Sequence, residues 1–176
     1  MIKYSIISPI HNEQECIREL ISRIKKTMDK YAKGKWEYLL INDASTDNSR
    51  GLIESFAKNN RSIRLINHRK SMGQAGCFKT GFDNANGDVV VTLDGDLQVF
   101  PEDIPLFLDK LEKGYDIING IREHRKHPYW IKIASRLYNV LMLIFFNSPV
   151  IDAASNFTAI KTRFVRNVRL KGNDHR

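Results

Sequence analysis

The sequence predicts an α/β protein, a doubly wound and mostly parallel sheet flanked by helices, and three observations carry that expectation. Short apolar, β-rich runs alternate with longer stretches of helical periodicity. Each run stops in polar or small residues: "SPIHNE", "NDAST", "NHRKSMG", "DGDLQ" and "GIR". No internal repeat or low-complexity linker breaks the alternation. Ligands of such sheets sit outside the carboxyl ends of the strands, so these five strings are expected to meet along one crevice.

The elements follow in order. "KYSIISPI" is a first strand, and "NEQECIRELISRIKKTMDKYAKG" a helix, with Ile17, Leu20, Ile21 and Ile24 on one face and Gly34 as its stop. "WEYLLIND" is a second strand. "STDNSRGLIESFAKNN" is a helix opened by Ser45 or Thr46, with Asp47 near its positive end. "IRLINH" is a third strand, "GQAGCFKTGFDNANG" a helix of small residues, and "DVVVTLDGD" a fourth strand. "PEDIPLFLDKLEKG" is a helix with Pro101 at its start, and "YDIING" a fifth strand, expected to pair in parallel like the others.

A chain of 176 residues with 42% hydrophobic and 27% charged residues has the make-up of one globular domain. Cys16 and Cys77 are far apart and match no zinc spacing, and both are expected to be reduced thiols in a cytoplasmic protein. The N-terminal apolar run is too short for a signal peptide. The net charge of +8 is uneven: residues 1–121 hold 17 basic and 17 acidic groups, and residues 122–176 hold 11 and 3. The imbalance in the last third suits either an anionic partner or a solvated basic face.

Residues 127–150, "HPYWIKIASRLYNVLMLIFFNSPV", are strongly apolar, but their longest uninterrupted run is too short to span a bilayer. Read as a helix, they place Lys132, Ser135, Arg136 and Asn139 in one narrow polar stripe. That fits a core helix with one polar edge, and equally a helix at a membrane interface or against an apolar partner, which Tyr129, Trp130 and Tyr138 favour.

The chemistry concentrates in "DGDLQ". Asp94 and Asp96 end a hydrophobic strand beside a crevice, a pair that repels itself unless a cation lies between them. A solvent-exposed acidic turn is one reading; at the end of this strand an oxygen-ligand set for Mg²⁺ or Mn²⁺ fits better, with Gln98 adding a neutral oxygen and Gly95 letting the backbone turn and a phosphate approach. Asp43 is left to bind a base N–H or ribose hydroxyls, since Ser45, Thr46 and Asp47 serve the helix start. Asn12 and Glu13 lie beside a helix start, where Asn12 suits a cap as well as a ligand; His11 alone is only a weak candidate. Gly73, Gly76 and Gly81 permit close packing, but the segment is neither a Walker A loop nor GxGxxG. The absence of a Gly-x-Ser-x-Gly elbow argues against a serine hydrolase.

Together these strings resemble the inverting family 2 glycosyltransferases of GT-A fold, in particular the dolichol-phosphate mannosyltransferase and polyprenyl-phosphate glycosyltransferase branch. "SPIHNE" resembles the family's Pro-x-Tyr-Asn-Glu and "INDASTD" its Asp-Asp-Gly-Ser-x-Asp. "TLDGDLQVFPED" resembles its Asp-x-Asp-Leu-Gln with Pro-Glu, while "DIINGIR" and "ASRLYN" resemble its two acceptor-phosphate arginine segments. The resemblance implies one GT-A domain over residues 1–176, with a nucleotide-binding part at 1–121 and an acceptor, membrane-proximal part at 122–176. It implies Asp94, Asp96 and Gln98 at the metal and donor diphosphate. Pro9, His11, Asn12, Glu13, Asp43 and Gly73, with Asp94, Gly95 and Asp96, would hold the nucleotide sugar. Arg122, Ser135 and Arg136 would grip the acceptor phosphate, and Asp152 would lie near the sugar.

The implied reaction moves a sugar from a UDP- or GDP-sugar to a polyprenyl phosphate or related cell-envelope acceptor, aided by Mg²⁺ or Mn²⁺. The protein is then expected at the inner face of the membrane, against its surface, a transmembrane partner or a second copy of itself, and without nucleic acid. Departures are visible: Asn42 and Ala44 stand for the family Asp and Gly, and Asn156 and Thr158 for a later Gly and Arg. The chain ends where family members continue, so it is expected to be a piece of a longer protein. Two other readings compete: a nucleotidyltransferase, for which "SPIHNE" lacks the Gly-rich basic loop, and a non-catalytic nucleotide-binding module at the membrane.

Overall fold

A computed structural model describes residues 1–120 and 156–168. Its elements are β1 (Tyr4–Ile10), α1 (Ile17–Ala32), β2 (Trp36–Asn42), α2 (Ser49–Asn59), β3 (Ile63–Asn67), α3 (Gly73–Asn84), β4 (Val89–Thr92), α4 (Ile104–Glu112), β5 (Ile117–Asn119) and β6 (Thr158–Lys161). The strands form one six-stranded sheet in the order β3-β2-β1-β4-β6-β5. β1 lies in parallel between β2, where Ile7 faces Leu39, and β4, where Ile7 faces Thr92.

Strand composition reflects burial on both faces. Ile6, Ile10, Tyr38, Leu40 and Val91 point to a core shared with α1, α2 and α4. Ile7, Leu39, Ile41 and Val90 point to the opposite side, against Cys77 and Phe78 of α3. On α1 the buried residues are Ile17, Leu20, Ile21, Ile24, Met28 and Ala32, the expected apolar face extended by two turns. Deleting such a side chain to Ala costs about 2–5 kcal/mol. The helix ends where Lys33 and Gly34 take φ of 46° and 80°.

The sheet is mixed where the sequence predicts parallel pairing for the fifth strand. β6 is antiparallel to β4, with Val91 opposite Ala159, and antiparallel to β5, with Ile118 opposite Ala159. It inserts between them. Four residues, "TAIK", carry too little pattern to announce a strand, and the partners of β6 lie far away in the sequence. β5 keeps the direction of β4, so its end still lies on the predicted edge. Two boundaries also differ: β4 stops at Thr92, before the carboxylates, and α2 opens at Ser49, four residues after Ser45. The apolar helix expected over 127–150 lies outside the described residues.

Candidate functional site

The loops after β1, β2 and β4 meet α3 at the carboxyl edge of the sheet, around a cleft of about 280 Å³ whose walls include Pro9, His11, Glu13, Asp43, Asp94, Gly95 and Asp96. The site residues expected from the nucleotide-binding part thus converge, with Asn12, Gly73 and Gln98 on the adjoining loops. Arg122, Ser135, Arg136 and Asp152 lie outside the described residues.

The first two loops are stitched by Asn12, which has φ of 58°. Its Oδ1 accepts from Thr46 N–H at 2.8 Å and Asp47 N–H at 3.3 Å. Asp47 Oδ2 in turn accepts from Gln14 N–H at 3.1 Å, and Ser49 Oγ from Glu13 N–H at 2.9 Å. Asn12 is a brace between loops, so its carboxamide oxygen is spent on the protein. His11 Nδ1 lies 2.8 Å from the Asp43 carbonyl oxygen, a second tie between the same loops. Ala44 sits at φ 55°, strained for a residue with a side chain. Asn42 donates through Nδ2 to Asn67 Oδ1 at 2.9 Å, joining β2 to β3.

Asp43 corrects the expectation that it is left free for a ligand. It is 5% exposed. Its carboxylate accepts from Ser71 Oγ at 2.7 Å, Met72 N–H at 2.7 Å and Gly73 N–H at 3.0 Å, and His68 Nδ1 lies 2.8 Å away. Burial by itself would raise its pKa; the hydrogen bonds from Met72, His68, Ser71 and Gly73 outweigh it and hold the group below the usual carboxylate range. The turn before α3, where Gly73 takes φ of 70°, curls its donors around this carboxylate. Sequence reasoning missed His68 and Ser71, although "NHRKSMG" marked the loop. Asp43, His68 and Cys77 also bring one ligand atom each within 4.8 Å of one another, a set that could hold a metal ion. Burial first, then Asp43, pushes the Cys77 thiol up to about 12.

The fourth loop carries Asp94 and Asp96. Gln74 Nε2 donates to Asp94 Oδ1 at 2.8 Å, and Asn156 Nδ2 lies 3.0 and 3.1 Å from its two oxygens. Asp96 Oδ1 accepts from Gln98 N–H at 3.1 Å, a turn in which Leu97, not Gly95, takes the left-handed φ of 58°. Gly95 is required for packing: a Cβ there would lie 2.8 Å from Ile10 Cδ1 and 3.2 Å from the Pro9 carbonyl oxygen. Gln98 is exposed. Glu13 completes the acidic wall. Its pKa is raised, first by burial and then by the charges of Asp96, Asp47 and Asp94. An arrangement of carboxylates that repel one another suits a hard divalent cation and a diphosphate.

After β5, Gly120 N–H donates to the Phe157 carbonyl oxygen at 2.8 Å, which fixes the chain two residues before Arg122. Among the described residues, no helix is long and apolar enough to cross a membrane.

Known structures share this architecture. The first 349 residues of S. aureus TarS superpose with a TM-score of 0.67 at 22% identity, covering 94% of this chain and 48% of that one. Mannosyltransferase PcManGT from Pyrobaculum calidifontis, in complex with GDP-Man and Mn²⁺, gives 0.66 at 19%, covering 90% and 44%. Glucosyl-3-phosphoglycerate synthase from Mycobacterium tuberculosis, with Mn²⁺, UDP and phosphoglyceric acid, gives 0.69 at 18%, covering 92% and 56%. The chain thus spans about half the length of the structures it resembles. At these identities the likeness establishes the fold. Membership follows from sequence, because the family description "Glycosyl transferase family 2" matches residues 5–169, and the chain therefore belongs to that glycosyltransferase family.

Proposed function

We propose that the protein is an inverting, metal-dependent glycosyltransferase that moves a sugar from a nucleoside-diphosphate sugar to a polyprenyl phosphate at the inner membrane face. The observation that carries the donor half is the convergence of Glu13, Asp94 and Asp96 on the strand-end cleft of a family 2 chain. These oxygen donors fit Mg²⁺ or Mn²⁺, with Asp94, Asp96 and Gln98 as the holding residues. A divalent cation bound there would offset charge on the departing diphosphate. The similar structures with GDP-Man, UDP-GlcNAc or UDP, two of them with Mn²⁺, support a nucleotide-sugar donor without choosing its base.

The residues then have two tasks. Pro9, His11, Glu13 and the loop fixed by Asp43 shape the nucleotide side of the cleft. Arg122, Ser135 and Arg136 hold the acceptor phosphate, in the third of the chain that carries the whole +8. That phosphate is already an anion, so the work is alignment of two anions for attack at the anomeric carbon. The segment that bears these groups begins just after Gly120, whose N–H is tied to the Phe157 carbonyl oxygen. The apolar residues of 127–150 would serve to meet the membrane, a transmembrane partner or a second copy.

Product analysis tests the reading. With Mn²⁺, a panel of UDP- and GDP-sugars and polyprenyl phosphate in detergent, one donor should yield a lipid-linked sugar and a nucleoside diphosphate. Donor consumption with inorganic phosphate or a soluble phosphate ester, and none with the lipid, would reject the lipid acceptor. No transfer from any donor would reject the reading as a whole.

A further inference from the structure

Asn156 stands where the family pattern has Gly, and the glycosyl-transfer reading gives it no task. Its backbone is held on both sides of the entry to β6. Thr92 Oγ1 donates to the Asn156 carbonyl oxygen at 2.7 Å, and the neighbouring Phe157 carbonyl takes the Gly120 N–H at 2.8 Å. The side chain therefore reaches Asp94 from a fixed base.

The contact is of an unusual kind. Nδ2 lies 3.0 Å from Asp94 Oδ1 and 3.1 Å from Oδ2, so one nitrogen is nearly equidistant from both oxygens. The amide must face this way, because its oxygen there would oppose two acceptors. Within hydrogen-bond distance of both oxygens, the nitrogen occupies the side of the carboxylate that a cation would need in order to be chelated by both. Gln74, in the first turn of α3, donates to Oδ1 at 2.8 Å. Amides from α3 and from the segment just before β6 thus both hold Asp94.

We propose that Asn156 is a positioning residue for the cation site: it closes the chelating edge of Asp94, so that a divalent ion meets this carboxylate through one oxygen and is shared with Asp96 and the diphosphate. The proposal rests on the glycosyl-transfer reading. Small divalent ions keep few protein ligands and complete their shells with water and phosphate oxygens. An ion chelated by Asp94 would be drawn away from the diphosphate. Removing the amide should therefore tighten binding of the ion alone and weaken binding of the nucleotide through it.

The test compares the intact chain with Asn156→Ala and with Asn156→Gly, the family's own residue. Mn²⁺ alone is titrated by electron paramagnetic resonance, and UDP and GDP are titrated by calorimetry at saturating Mn²⁺. Both variants should bind Mn²⁺ at least about threefold more tightly and the nucleoside diphosphate about tenfold more weakly, the scale on which outer partners of metal ligands act. A fall in both affinities would mean a merely structural role, and no change in either would mean none; each overturns the assignment. Wild-type protein that binds neither Mn²⁺ nor nucleotide would defeat the glycosyl-transfer reading, and this proposal with it.

Discussion

Asp43→Asn is the sharpest perturbation of the site's framework. Asp43 Oδ1 accepts from Met72 N–H and faces His68 Nδ1, and Oδ2 accepts from Ser71 Oγ and Gly73 N–H. An amide group can replace only one oxygen, and whichever way it turns, a backbone N–H of the α3 entry meets another N–H. Ser71 can reverse its hydroxyl, but Met72 or Gly73 cannot. The loss is one buried hydrogen bond to a charged acceptor, about 1.5–3 kcal/mol, plus the desolvation cost of the stranded donor, together roughly 3 kcal/mol. For a chain of this size that lowers the midpoint of thermal unfolding by about 6–12 °C. The pH dependence follows from the sign of the shift. Asp43 has a folded pKa below the unfolded value, so its stabilisation is present above the ordinary Asp range near pH 4 and fades as pH falls through the folded value. Urea unfolding of wild type and variant at pH 7 and pH 3 reads both effects. A gap under about 1 kcal/mol at pH 7, or one that persists unchanged at pH 3, would refute the reasoning.

Gly95→Ala places a Cβ against Ile10 Cδ1 and the Pro9 carbonyl, and the latter is backbone that cannot yield. The variant should lose about 1–3 kcal/mol in urea unfolding, with Mn²⁺-dependent nucleotide binding falling alongside. Glu13→Gln should act in the opposite sense. Glu13 has a raised pKa, so its ionised form costs the folded state stability at neutral pH; metal-free variant protein should melt higher than wild type at pH 7, and the two should coincide below the ordinary Glu range.

The core strands were legible because burial on both faces writes them as near-continuous apolar runs, and α1 because its apolar residues recur at one helical face. The crevice followed from topology, since alternating strands and helices put every strand end on one edge. What stayed hidden depends on contacts across the chain. β6 is four residues long and needs β4 and β5 as neighbours on either side. The partners of Asp43 come from a loop 25–30 residues later. Asn156 was visible as a departure from the family pattern, but its 62-residue link to Asp94 was not. In the sequence Gly95 suggests backbone freedom, whereas the left-handed turn belongs to Leu97 and the glycine makes room for β1.

In the proposed reaction Asp96, with Asp94, holds a divalent cation which in turn holds a nucleoside diphosphate. Calorimetric titration of UDP-sugars and GDP-sugars into the protein, with Mn²⁺ and with chelator, tests it most directly. Binding of at least one donor should require Mn²⁺ and disappear in Asp96→Asn while the fold survives. Donor binding that is the same with chelator, or undiminished in Asp96→Asn, would contradict it.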